Sequence, residues 1–387
     1  MKILVNLARI IVGLLFIFSG VVKAIDPLGL SYKMQEFFEL WGMTQFNEHT
    51  LWLSIVMIAF EIIAGVSLLL GWQMKLFSWL LLLLILFFTF LTGYAYLSGK
   101  FKNCGCFGDC IPITPLTSFL KDIVLTLLIF FLFANQKKIQ LLFSKKISTI
   151  LIILASVFSF GIQWYALNYL PPIDCLPYKK GNNIAEKMKT PPGAVPDSFA
   201  IRFVYEKGGK QFEFAPSDLP ADLDSYNYVS RTDKLIRKGN AEPPIKGFAL
   251  SGTTDQDSTS IVLSQPYAVI LFSEDFSTPF SVWKDDFAKL HAAAKSKNIA
   301  VYAVTNRMEE AMKNFAGTSF SDVPLFKCDY TAIRTAARTN PTVYLLKEGT
   351  ILDKQSYRRM DKIMDGVEAL PALKVVEVTI TDGLQEE

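Results

Sequence analysis

Five stretches of the chain stay apolar for about 20 residues, the length a helix needs to cross a bilayer. They are 3–22, 51–71, 76–98, 115–135 and 147–170. The first carries Arg9 as its only charge and the second carries only Glu61. The third and fifth carry none, and the fourth qualifies with Lys121 and Asp122 in its first turns. The first stretch also invites reading as a cleaved signal peptide. Its apolar run is long for that, and no clear small-x-small cleavage site follows it.

Beyond residue 170 the pattern changes. Pro171, Pro172 and Pro177 mark the exit from the last span. An alternating run over 198–205, the turn signal Gly208-Gly209 and a return over 211–214 predict a β-hairpin. Residues 215–260, rich in Pro, Asp, Ser and Gly, read as loop. The run 267–272 predicts a buried strand. Helical spacing of Phe280, Trp283, Phe287, Leu290 and Ala294 predicts a helix over 280–297. A second strand over 299–304, a helix near 309–315 and a hairpin turning at Glu348-Gly349 follow. This succession argues for a small α/β domain with a mixed sheet.

Charge separates the same two parts. Residues 1–170 hold 12 Lys/Arg and 7 Asp/Glu, and residues 171–387 hold 27 and 29. Neither has the basic field of a nucleic-acid binder. Lys137, Lys138, Lys145 and Lys146 form the densest basic cluster of the membrane part, so the loop after the fourth span should be cytoplasmic. The N-terminus is then cytoplasmic as well. The loops 23–50 and 99–114 and everything after 170 face the other side, the periplasm if the membrane is a bacterial inner membrane. All five cysteines fall there, where disulfides persist.

Charges inside spans are costly and often functional. Glu61 sits near mid-helix, and the long Arg9 would bridge part of the depth between them. Lys121 and Asp122 are neighbours that do not face each other on a helix. Arg9, Glu61, Lys121 and Asp122 therefore either staple the bundle or serve a proton or quinone-binding role.

Cys104-Gly-Cys106-Phe-Gly108-Asp-Cys110 is the densest cysteine cluster. Its glycines let the backbone bend, and Lys100 and Lys102 favour thiolate, with Asp109 opposing. Five cysteines leave at least one free or paired with another chain. A Cys104–Cys106 ring would be strained; Cys106–Cys110 or Cys110–Cys175 would be less so. Two histidines, His49 and His291, lie in different halves, which excludes bis-histidine haem between spans. There is no Cys-x-x-Cys-His haem attachment site and no Gly-x-x-x-x-Gly-Lys phosphate loop.

The stretch 340–349, opening Asn340-Pro341-Thr342-Val343, resembles the cis-proline segment of thioredoxin-like proteins, over roughly 265–370. The resemblance implies a cis Pro341 and places Asn340 beside the redox site. Ser277 and Phe280, flanking Thr278-Pro279, stand where that family has its two cysteines, so this domain lacks dithiol chemistry there. Thiol exchange needs an attacking thiolate. Asn340, Pro341, Ser277 and Phe280 are then candidates for binding, and the domain a docking module. Cys328 reads as a buried, inert thiol.

Cys104-Gly-Cys-Phe-Gly108 between two spans is similar to the signature of DoxX / MauE-like membrane proteins. Arg9, Gly13, Phe16, Ser19-Gly20 and Lys23 resemble that family's first helix, and Glu61, Gly65 and Leu68 to Gly71 its second. This implies a four-helix core over 1–135 with a redox-associated role in disulfide formation. The architecture expected is therefore a membrane α-helical bundle, a DoxX-like core plus a fifth transmembrane helix, followed by a soluble α/β thioredoxin-like domain. Its parts are the core 1–135, a basic loop and fifth span over 136–170, a periplasmic linker and hairpin region over 171–262, and the thioredoxin-like domain over 263–387.

Three functions fit this sequence. In a membrane thiol–disulfide exchanger, Cys104, Cys106 and Cys110 form the redox centre, Cys175 is a resolving thiol, and electrons pass to or from quinone or a partner protein. In a scaffold, the cysteines form permanent bridges and the tail binds a periplasmic client or envelope complex. A metal or iron–sulfur site would use Cys104, Cys106, Cys110 and Cys175, against the usual Cys-x₂₋₄-Cys spacing.

Overall fold

The computed structural model describes residues 2–101, 105, 107–195, 198–220, 222–237, 239, 241–252 and 256–373. The first part of the chain forms α1 (Lys2–Ile25), α2 (Pro27–Leu40), α3 (Thr50–Leu70), α4 (Met74–Ser98), α5 (Pro115–Ala134) and α6 (Lys145–Tyr169). All but α2 are long and apolar enough to span a membrane. Large apolar side chains such as Leu83, Phe90, Leu127, Ile153 and Val157 point outward. That surface suits lipid, where no polar face is needed.

Helices α1 and α3 meet closely because both carry glycines at the crossing. A Cβ on Gly13 would come within 2.7 Å of Leu69, and one on Gly20 within 2.6 Å of Ile62. Small residues at such crossings let backbones approach and dispersion do the holding. The pairings also fix an antiparallel register: Glu61 is level with Val21, and Arg9 is level with the turn after α3.

Helix α2 occupies part of a segment read from the sequence as a loop. Its start is encoded locally: Asp26 caps it, accepting from the Gly29 amide at 3.2 Å, and Pro27 fills the first helical position. Only a few of its residues are buried, among them Ser31 and Phe37. A weak apolar stripe on a short helix is easily missed.

After the short helices α7 (Ile184–Lys187) and α8 (Thr259–Leu263) and strands β1 (Ser198–Lys207), β2 (Lys210–Phe214) and β3 (Asn227–Arg237), the α/β domain comprises β4 (Ala268–Ser273), α9 (Lys284–Ser296), β5 (Ala300–Thr305), α10 (Met308–Phe315), β6 (Leu325–Lys327), α11 (Tyr330–Ala336), β7 (Thr342–Lys347), β8 (Thr350–Ser356) and α12 (Met360–Glu368). The strands order as β6-β5-β4-β7-β8. β4, β5 and β6 run parallel, while β7 is antiparallel to β4 and β8. Alternation along β4 sends Val269 and Leu271 into a core with α9 and α12, and Ile270 and Phe272 into one with α11. Tyr178, Ile184, Ile245, Phe248 and Leu250 join that second core, so parts of the chain before β4 pack into the domain.

The hairpin of β1 and β2 turns at Gly208 and Gly209, both left-handed. β3 adds an antiparallel third strand, in a region that reads as loop in the sequence. Its pattern is obscured because much of it is exposed, Tyr228, Val229 and Ile236 included.

Candidate functional site

Cys110 and Cys175 are joined in a disulfide with their Cα atoms 4.9 Å apart. The bond ties the loop between α4 and α5 to the segment after α6. It also removes two of the four thiols that a metal or cluster reading requires, because a disulfide sulfur is not a thiolate ligand. Cys175 is thus a partner of Cys110 in this state. Cys328 is free and buried; burial pushes its thiol up to about 11. Cys104, Cys106 and Lys102 lie outside the described residues. Between them Gly105 is left-handed, and the Gly108 amide donates to its carbonyl at 3.0 Å, so the loop turns tightly here.

Beside the disulfide, one arginine fastens the α/β domain to the bundle. Arg338 follows α11 and is 4% exposed. Its Nε donates to Asp26 Oδ2 at 2.8 Å and its Nη2 to Asp109 Oδ2 at 3.0 Å. Its Nη1 donates to the Arg334 carbonyl at 2.7 Å. Three directions of a rigid guanidinium fork are satisfied, which a lysine cannot reproduce. Burial draws its pKa down, but Asp26, Asp109 and Tyr32 outweigh that and leave it raised. Arg334 continues the contact, donating to Glu274 at 2.7 Å and to Gln35 of α2 at 2.8 Å. Both guanidiniums lie over the ring of Tyr32, at 4.9 and 5.2 Å. Burial pushes the Tyr32 phenol up to about 12, against Arg338. A further tie is the buried Lys354 of β8, which pairs with Asp174 next to the disulfide.

The site expected from the cis-proline resemblance is built but closed. The Asn340–Pro341 bond is cis. Asn340 accepts from Ser273 Oγ at 2.9 Å and from the Glu274 amide at 3.1 Å. Its Nδ2 donates to the Asp275 carbonyl at 2.9 Å and to Ser277 Oγ at 3.2 Å. Ser277 is exposed, whereas Phe280 is half-buried and packs against Trp283, with ring centroids 4.9 Å apart.

Inside the bundle the charges pair differently from the sequence expectation. Glu61 is bound by Lys23 at 2.6 Å and by Ser19 Oγ at 3.0 Å. Arg9 instead caps the far end of α3 at the Leu69 carbonyl and reaches the Gln140 carbonyl at 3.2 Å. Twelve residues of register, about 18 Å at 1.5 Å each, separate Arg9 from Glu61; no side chain spans that. Lys121 does reach its neighbour: its Nζ is 2.5 Å from Asp122 Oδ1, the long side chain folding back where adjacent positions diverge. Thr92 donates to the other Asp122 oxygen at 3.0 Å. Lys23 was missed as a partner because it lies just past the apolar run.

Ser19, Lys23, Glu61, Thr92, Lys121 and Asp122, but not Arg9, line a cavity of about 220 Å³ among α1 to α5, and Lys33 of α2 and Gly105 and Phe107 of the cysteine loop also line it. Lys23 lies over Phe88 at 5.1 Å and Lys121 over Phe107 at 5.3 Å. Most of the remaining wall is apolar, including Trp41 and Leu91.

Residues 1–135 match the family described as methylamine utilisation protein MauE, so α1 to α5 are MauE-like and α6 lies outside the match. Residues 199–238, which take in all but the first residue of β1 and the whole of β2 and β3, match a domain of unknown function, DUF8463. The chain is 30% identical over 128 residues to Protein TlpB of Flavobacterium psychrophilum, covering 32% of this chain and 35% of that relative. The chain therefore matches about a third of that relative's length. No solved structure matches.

Proposed function

We propose that this chain is a redox-associated protein of a bacterial inner membrane that exchanges thiols and disulfides through Cys104 and Cys106, with its α/β domain held over that loop as a docking module. The Cys110–Cys175 disulfide carries this reading. It takes Cys110 out of the cluster and Cys175 with it, burial silences Cys328, and Cys104 and Cys106 remain as the pair for exchange. In each turnover a client dithiol is oxidised, its two S–H bonds giving way to one S–S bond, while the Cys104–Cys106 disulfide is reduced to two thiols. A strained disulfide is the more oxidising kind. The MauE-like core supports a membrane setting for this chemistry.

The α/β domain adds position. With Ser277 and Phe280 in place of a thiol pair, it offers recognition of a periplasmic client in an envelope complex. The Arg338 clamp and the disulfide hold it beside the loop. In sequence Lys100 and Lys102 precede the pair, where they would favour thiolate, and the basic 137–146 loop supports a periplasmic side for the cysteines.

Trapping tests the reading. Cys106→Ser leaves Cys104 unable to resolve, so acid-quenched membranes accumulate mixed disulfides between Cys104 and client. Absence of such adducts, with Cys110–Cys175 intact, overturns exchange. A scaffold reading is favoured by one observation, the disulfide and ion-pair tethering of the domain; under it all four loop and linker cysteines are permanently bridged.

A further inference from the structure

We infer that the folded α/β domain brings Cys110 to Cys175 and is in turn latched to the bundle by their disulfide, so that bond and docked domain form one redox-sensitive unit. The residue before each cysteine carries the argument. Asp109 precedes Cys110, and Asp174 precedes Cys175. Each carboxylate meets a cation of the α/β domain whose own side chain is 4% exposed: Asp109 accepts from Arg338 Nη2 at 3.0 Å, and Asp174 pairs with Lys354.

The fold of the domain places both cations. Lys354 of β8 stands opposite Tyr344 of β7 in the sheet register, and its ammonium lies 5.6 Å from the centre of that ring. Tyr344 Oη donates to the Ala336 carbonyl at 2.6 Å, at the end of α11 just before Arg338. One buried tyrosine thus ties together the strand and the helix end that present the two cations. An unfolded domain offers no such pair.

Chain length points the same way. The bond closes a separation of 65 residues, although Cys106 stands four positions from Cys110 in the same loop. Loop-closure entropy grows with separation, so contacts elsewhere must help select the longer one. A buried cation without its carboxylate is costly. Docking that satisfies Arg338 and Lys354 sets Cys110 beside Cys175, with Cα atoms 4.9 Å apart. Closure then balances: the two S–H bonds break, one S–S bond forms, and the two electrons and two protons reduce the S–S bond of a disulfide donor to two thiols. By linkage, whatever factor docking contributes to the bond, the bond contributes to docking.

This inference goes beyond the exchange reading and needs neither Cys104 nor Cys106, so the test uses full-length Cys104→Ser/Cys106→Ser protein in nanodiscs. Samples are equilibrated with reduced and oxidised glutathione and quenched with acid, and peptide mapping reads the fraction bonded. Lys354→Met keeps the apolar stem and removes the cation. It should lower the equilibrium constant for closing the bond by about tenfold or more, about 30 mV for a two-electron couple. Asp109→Ala, a change outside the α/β domain, should shift it the same way. Hydrogen exchange in β4 and β7 reads whether the domain stays folded; if Lys354→Met loses that protection, Asp109→Ala decides alone. Reducing the bond should quicken exchange in α2 and α11 but not in β4 or β7. A constant that neither substitution moves overturns the latch, and so does unchanged exchange in α2 and α11 on reduction.

Discussion

Arg338 Nε lies 2.8 Å from Asp26 Oδ2, joining residues 312 positions apart in the chain. One partner follows α11 of the α/β domain; the other caps α2 at the end of α1. The contact is the anchor of a network that reaches Asp109 in the cysteine loop, so domain position and loop position are mechanically linked.

Arg338→Ala removes the guanidinium from two carboxylates in a largely buried contact. Breaking a buried pair from one side costs about 3–5 kcal/mol, and Asp109, 32% exposed, should recover part of this by hydration. The loss should fall on docking and leave the β-sheet intact. Hydrogen exchange should therefore quicken in α2 and α11 but not in β4 or β7. Arg338→Lys should lie between, keeping charge and losing the fork. Unchanged exchange at α2 would show that the clamp does not hold the domain.

Much of this arrangement is legible in the sequence, and the rest is hidden for physical reasons. Spans follow from apolar length, and strands β4, β5 and β7 from continuous apolar runs buried on both faces. Asp26-Pro27 is a readable helix start that an unremarkable apolar pattern masks. β3 leaves Tyr228 and Ile236 exposed, so alternation does not announce it. The ion pairs are beyond sequence altogether. Lys23 meets Glu61 only because the glycine crossing of α1 and α3 sets a particular register, and Arg338 meets Asp26 only once two distant parts are folded and docked.

The disulfide Cys110–Cys175 closes a separation of 65 residues, for which chain entropy predicts about 4 kcal/mol. Cys110→Ser and Cys175→Ser should each release one alkylatable thiol on the other partner and lower stability alike. Thermal unfolding of the two variants in detergent, together with thiol counting, checks this. Unequal losses would indicate that one cysteine has another partner.

Lys23→Met and Glu61→Gln should each destabilise the bundle by about 3–5 kcal/mol, since each leaves a buried charge uncompensated. The double variant should cost less than the sum of the two, because both charges are then gone. Reversible unfolding in mixed micelles measures the three. Simple additivity would mean the pair at 2.6 Å does not interact energetically.

Cys328 should resist iodoacetamide at pH 8 in the native protein and react once unfolded. Burial raises its pKa from 9.0 to about 11, and alkylation needs thiolate. The sign for stability follows: between those values the native state holds a proton the unfolded state has lost. Stability from this group is full below 9.0 and falls as pH rises toward about 11. Cys328→Ala should flatten that alkaline slope, and an unchanged slope would assign it to other groups.

The central claim is that Cys104 and Cys106 exchange while Cys110 and Cys175 stay bridged. A peptide-level disulfide map of acid-quenched membranes, with thiols labelled before and after reduction, tests it most directly. The account predicts a mixed population at Cys104 and Cys106 that shifts with mild reductant, beside a Cys110–Cys175 bond that does not. Full oxidation of all four cysteines, unmoved by reductant, would contradict it and leave a membrane-anchored binding scaffold.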